Sequence, residues 1–158
     1  MGKTFFFENI NILMGPNKEV FKDCLLIIDG EIKAFGQEAK KEALKKNIQI
    51  TESGNKLLAP MLVDIHSFLQ EPLTGSEDNL ENLSSRAIKS GFGSVALLPN
   101  SNDWRDKPEK IPFQKNNDFD INIFFWASFS LKDKGRYLSP HKELLNSGAI
   151  GLSSSNFF

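Results

Sequence analysis

The pattern of apolar and polar positions divides the chain into two stretches of different character. Over residues 4–13 and 20–35 apolar side chains recur in short strand-like runs, and "CLLIIDGEIKAFG" sets an Asp29-Gly30 pair between two of them. Asp-Gly suits a tight hairpin turn because glycine takes positive φ without strain. Residues 37–46, "QEAKKEALKK", read as a short polar helix or loop. "IQITESGNKLLAP" supplies one more short strand, with Gly54-Asn55 at a turn. Residues 1–57 are therefore expected to form a small antiparallel β unit.

Beyond it the pattern changes. "KLLAPMLVDIH" (56–66) is a nearly unbroken apolar run, as expected of a strand buried on both faces. Ser76 can N-cap a helix, with Glu77 and Asp78 in its first turn, Leu80, Leu83 and Ala87 as its apolar stripe, and Gly91 as its end. "SVALLPN" (94–100), "DINIFFWASF" (120–129) and "AIGLS" (149–153) predict three more strands. A helix opens at Ser139-Pro140, runs through Leu144 and Leu145, and closes at Gly148. Residues 101–118 are a long polar loop. Strands alternating with helices predict an α/β fold of parallel βα units, either an open doubly wound sheet or part of a (β/α)8 barrel. The residues alone leave both open. Length bears on the second, since a complete barrel takes about 200–250 residues and only 58–158 follow the β unit.

Composition acts mainly by exclusion. An apolar share of 40% with 25% charged residues is that of a soluble globular protein. A net charge of −1, with no Lys/Arg stripe interleaved with aromatics, argues against nucleic acid as a partner. Cys24 stands alone, which rules out an internal disulfide and a cysteine zinc knuckle and fits a reducing compartment. The start "MGKTFFFENINILMG" lacks a signal-peptide cleavage site, Gly2 lacks the downstream hydroxyl of a myristoylation signal, and no run approaches a membrane span. A cytoplasmic protein without a membrane partner is expected. The glycosylation triplet Asn82-Leu83-Ser84 means little without export signals.

Candidate chemistry is sparse. "GFGSVA" (91–96) imitates a dinucleotide fingerprint, but its glycines follow a helix and open a strand, the reverse of the order phosphate binding needs. Asp103, Asp106 and Glu109 share a loop with Arg105 and Lys107 and read as a solvated charge cluster. His141 lies just inside a helix start and reads as a surface residue at its cap. His66 differs, because it stands at the C-terminal end of a predicted buried strand, the edge where parallel βα folds bind ligands. Zinc takes about three or four N, S or O donors. Beyond carboxylates the chain offers only His141 and Cys24 besides His66, on separate elements, so no stable zinc centre is expected.

Taken together, "PMLVDIHSFLQEP" (60–72), "SGFGSVALLPN" (90–100) and the opening "CLLIIDGEIKAFG … GNKLLAP" resemble the dihydroorotase branch of the amidohydrolase superfamily. The resemblance implies a small N-terminal β-sandwich-like unit (1–57) followed by the first βα units of an incomplete (β/α)8 barrel (58–158). It also implies the family reaction, reversible cyclisation of carbamoyl aspartate to dihydroorotate in pyrimidine synthesis, at a zinc centre. In the family two histidines of the first barrel strand bind metal and a following arginine grips the substrate carboxylate. Here His66 matches the first ligand, Phe68 replaces the second, and Gln70 replaces the arginine, which leaves no charge for a bidentate contact. Asn100 matches the substrate-binding asparagine. The family's bridging lysine falls at Leu131, with Lys132 one place out, and a one-residue slip on a strand turns a side chain to the opposite face. Two more histidines and an aspartate general base would fall past Phe158.

These losses imply a protein inactive in this form, with no cofactor of its own, and leave Asn100 and Gln70 as the candidate positions for any residual binding of a small-molecule substrate. His66 is then a remnant used for packing or a hydrogen bond. Metal-less members of the family serve as structural partners of aspartate transcarbamoylase, and that is the role the resemblance carries over; homo-oligomerisation stays open. The alternatives are an active cyclic amidohydrolase of dihydroorotase, hydantoinase or allantoinase type, completed by residues outside this chain, or a non-functional truncated product.

Overall fold

Three strands open the fold: β1 (Phe5–Ile12), β2 (Phe21–Ile28) and β3 (Glu31–Phe35), each antiparallel to its predecessor. The computed structural model describes residues 3–69, 79–100, 104–112 and 119–154. They fall into two compact units, Met1–Pro60 and Met61–Phe158. Between β2 and β3, Asp29 and Gly30 both take positive φ, 54° and 81°, which is the twist a two-residue hairpin needs. Helix α1 (Gly36–Lys45) follows and sets Ala39 and Ala43 against Phe6, Leu26 and Ala34. Alanines four apart share one helix face and let the sheet approach closely.

β4 (Leu57–Leu58) joins this sheet parallel to β1, giving the order β3-β2-β1-β4. The unit is thus mixed rather than purely antiparallel, and the strand expected before Gly54 is reduced to a single bridge from Ile50 to Phe6. The apolar run 56–66 is correspondingly not one strand. Pro60 lacks a backbone N–H and restricts the residue before it, so the ladder stops and a new strand begins at Leu62.

The second unit alternates strand and helix: β5 (Leu62–Ser67), α2 (Leu80–Lys89), β6 (Phe92–Leu97), β7 (Asn122–Ser128), α3 (His141–Asn146) and β8 (Gly151–Ser153). Its sheet runs β5-β6-β7-β8, in chain order and parallel throughout. The α/β expectation holds at that level. Asn79 caps α2, its side-chain oxygen accepting from the Asn82 N–H at 2.8 Å. Ser76, Glu77 and Asp78, assigned to the helix start from sequence, lie outside the described residues. The chain leaves α2 through Gly91 at φ 85°.

Ala87, with Leu80, Leu83 and Ile88 beside it, packs on Val95, Leu97, Ile123 and Phe125. On the α3 side Leu144 is enclosed by Ile111, Ala127 and Ala149. Each leucine buried in this way contributes about 1.5–3 kcal/mol. β5 departs from expectation. Leu62, Val63 and Ile65 are exposed, although their run reads as a strand buried on both faces. The reason is position: β5 is an edge strand, with a ladder among the described residues on its β6 side only. Among the described residues no helix is long and apolar enough to cross a membrane.

Candidate functional site

The four parallel strands of the second unit point their C-terminal ends to one edge, where loops bring chemistry together in such sheets. His66 is the penultimate residue of β5. Its backbone N–H donates to Asp64 Oδ1 at 3.0 Å, while its ring is exposed and has no partner among the described residues. Phe68 follows, 40% exposed, with no donor atom to offer a metal. Gln70 lies outside the described residues.

His141 does not join His66. Its Nε2 sits 2.8 Å from the Phe129 carbonyl oxygen and its ring packs on Phe129 at 4.7 Å, which ties the start of α3 to the exit of β7. Cys24 belongs to the other unit, where Sγ contacts the Glu8 carbonyl at 3.2 Å. Burial, then the neighbouring Asp23 charge, pushes its thiol above the ordinary range. Among the described residues no three His, Cys, Asp or Glu side chains gather as a metal site. The described donors around His66 do not fit a zinc ion that needs three or more.

Asn100 is buried just past β6, where its Nδ2 donates to the Leu69 carbonyl at 3.0 Å and links the exits of β5 and β6. Beside it is a cavity of about 50 Å3, lined by Leu69, Leu98, Asn100, Arg105, Pro112 and Phe125. That is room for a few waters; a small-molecule pocket usually takes about 300–1,000 Å3.

The charged loop after β6 is not the solvated cluster its composition suggests. Arg105 and Asp106 are both buried. The Arg105 guanidinium donates to the Leu98 carbonyl and lies 5.1 Å over the Phe125 ring. Asp106 accepts the Lys132 N–H at 2.9 Å and pairs with Lys110 at 3.2 Å. Burial pushes the Asp106 carboxyl up, but the Lys132 N–H and the Lys110 ammonium outweigh it and hold the group below the usual range. Lys107 and Glu109 are exposed, as expected, and Asp103 lies outside the described residues.

Lys132 needs a second correction. β7 ends at Ser128, and Lys132 sits in a 3-10 turn, Leu131–Asp133, at φ 53°. A flip of face along a strand does not apply to it. Its backbone, not its amine, makes the contact to Asp106.

Sequence reasoning passed over Trp126. The indole Nε1 donates to the Ile65 carbonyl at 2.9 Å, two strands away. A Cβ on Gly151 would lie 2.4 Å from the same ring, so glycine there makes room for it. Nothing in the pattern signals this beyond a large aromatic in a strand and a glycine in the next. Gly93, one of the false fingerprint glycines, has a packing role as well, since a Cβ would meet Met61 at 2.8 Å. The glycosylation triplet lies on α2 with Ser84 buried, a conformation unsuited to modification.

Comparison with known proteins adds the remaining observation. No family model matches the chain. It is 29% identical over 140 residues to a dihydroorotase of Geobacillus thermodenitrificans, covering 87% of this chain and 32% of that relative. A dihydroorotase of Carboxydothermus hydrogenoformans is 25% identical over 148 residues, 92% of this chain and 34% of the relative. One from Bacillus thuringiensis is 24% identical over 153 residues, 95% and 35% respectively. The chain spans about a third of the length of the curated relatives it matches. The resemblance carried by "LVDIH…EP" and "LLPN" is thus a similarity along most of this chain, consistent with the N-terminal portion of a dihydroorotase.

Proposed function

We propose that the chain is a dihydroorotase-like protein whose second unit corresponds to the first βα units of a (β/α)8 barrel, behind an N-terminal unit of sandwich type. On this reading the chain does not itself cyclise carbamoyl aspartate, and acts as a structural partner of aspartate transcarbamoylase. The observation that supports inactivity most directly is the β5 exit, where a lone exposed His66 is followed by Phe68. A metal centre of this chemistry lowers the pKa of a bound water and polarises the carbonyl. One imidazole cannot hold such an ion, and the neighbouring Asp64 carboxylate accepts the His66 N–H.

The test is metal analysis of the purified chain after zinc loading, with a carbamoyl-aspartate cyclisation assay on the same sample. Substoichiometric zinc without turnover is expected; bound zinc with turnover overturns the reading. The partner role is tested by gel filtration with aspartate transcarbamoylase, where co-elution is expected and independent elution overturns it. A second reading, an active cyclic amidohydrolase completed by residues outside this chain, is favoured by one feature: Asn100 stays buried and fixed at the strand-end edge. Turnover on adding a polypeptide that carries the remaining length of a relative would establish it.

A further inference from the structure

We propose that Asp64 and Trp126 are positioning residues that hold a bulge in β5 at Ile65-His66, and that this bulge turns the side chains of His66 and Phe68 onto the face of the sheet opposite α2. The inference goes beyond the function proposed above, because it holds whether or not that strand end carries a metal.

The pairing of β5 with β6 reveals the bulge. Asp64 lies opposite Val95 and Ser67 opposite Leu97, so β5 takes three steps where β6 takes two. One extra residue in one strand of a pair kinks it and re-aims the side chains that follow. Val95 and Leu97 both pack under α2, which puts their partners Asp64 and Ser67 on that face. Burial agrees: Asp64 and Ser67 are half-buried, while Ile65 and His66 between them are exposed. From Ser67 onward the alternation resumes, with Phe68 exposed and Leu69 buried in the α2 cluster. In an unbroken register His66 would oppose Leu97 and turn its ring under α2, and Phe68 would follow it.

Side chains serve the two peptide groups at the residues the pairing skips. Asp64 Oδ1 accepts the His66 N–H at 3.0 Å, the local turn an aspartate makes with the backbone two residues on. The Ile65 carbonyl accepts from Trp126 Nε1 at 2.9 Å. Phe125 faces α2, so Trp126 stands on the opposite face, the one His66 and Phe68 share. Gly151 makes room for the indole there, since a Cβ would lie 2.4 Å from the ring. A peptide group left without a partner destabilises the backbone that carries it, so the bulge lasts as long as these two contacts do. Strand ends at this edge of a parallel sheet carry the side chains that meet ligands. Asp64 and Trp126 thereby decide that positions 66 and 68 point away from the helix-covered core and not into it.

Nuclear magnetic resonance on the whole chain tests this through cross-strand proton contacts. In the wild type Ser67 should contact Leu97, and the Trp126 indole N–H should contact the Ile65-His66 peptide. Asp64→Ala combined with Trp126→Phe should lose the Ser67–Leu97 contact in favour of His66–Leu97. Asp64→Asn keeps an oxygen acceptor and should keep the wild-type pattern, a distinction that lost stability alone would not make. Gly151→Ala leaves β5 untouched yet should displace the indole, and the contact from its N–H to β5 should vanish. If the double variant fails to fold, hydrogen exchange in the wild type decides: the His66 amide and the Trp126 indole N–H should both exchange more slowly than in an unstructured peptide. Exchange of either at the peptide rate, or a folded double variant that retains the Ser67–Leu97 contact, overturns the proposal. The readout is strand register, not turnover or co-elution, so its failure leaves the proposed function standing, and failure of that function leaves the bulge to its own result.

Discussion

Asp106 and Cys24 are two titratable groups that their surroundings move in opposite chemical senses. Asp106 is held below the ordinary carboxylate range in the folded state, despite its burial. Its contribution is therefore present at neutral pH and is lost as pH falls through that depressed value. Replacing it by asparagine should cost about 1–3 kcal/mol at neutral pH and flatten the acid limb of stability, measured by urea unfolding from neutral to acid conditions. An unchanged acid limb in Asp106→Asn would show that the carboxylate does not carry this dependence. Cys24 moves the other way: burial and the Asp23 charge favour its thiol form. Its reaction with a disulfide reagent at neutral pH should be slower than that of a free cysteine, because thiolate is the reactive species; equal rates would contradict the assignment. Neither behaviour is legible in the sequence. A single chain does not distinguish a charge tucked beneath a strand end from one facing water, so "DWRDKPEK" reads as solvated until Leu98, Phe125 and Lys132 are placed around it.

At the scale of elements, the sequence is legible where the controlling interaction is local. The Asp29-Gly30 turn and the Gly91 helix exit depend on backbone conformations that few residues adopt. The helix α2 begins from Asn79, which caps through its own side chain; Ser76, the cap the pattern suggests, lies outside the described residues. Asn79→Ala should lower stability by about 1 kcal/mol, read by thermal unfolding; no change would mean that water satisfies the Asn82 N–H equally well. What the sequence could not convey is which strand lies at an edge, because strand order is set by long-range pairing. Hence β5 has the composition of an interior strand and the exposure of an edge. The Trp126 contact is equally non-local. Trp126→Phe keeps an aromatic ring but removes the Nε1 donor with the five-membered half of the indole, and should cost at least about 1 kcal/mol by urea unfolding; a neutral result would mean the Ile65 carbonyl finds water instead.

For the whole molecule, the relation between family likeness and chemistry turns on the strand end at His66. The chain matches dihydroorotases over most of its own length but only about a third of theirs, and its described residues gather no metal-ligand cluster. Restoring the residues the resemblance calls for separates a defect of two positions from a broader one. Phe68→His would place a second imidazole two residues from His66, and adding Gln70→Arg would restore the carboxylate-binding charge. Zinc affinity of the double variant should rise at least about tenfold, or 1.4 kcal/mol, in competition with a chromophoric chelator. Turnover should nevertheless stay at the uncatalysed rate. Two imidazoles fall short of the three or more donors a catalytic ion takes, and Lys132 lies in a turn with its backbone committed to Asp106. If the zinc-loaded double variant forms dihydroorotate above background, the two substitutions alone account for the loss. The chain would then be an enzyme disabled at one strand end rather than a scaffold lacking a centre.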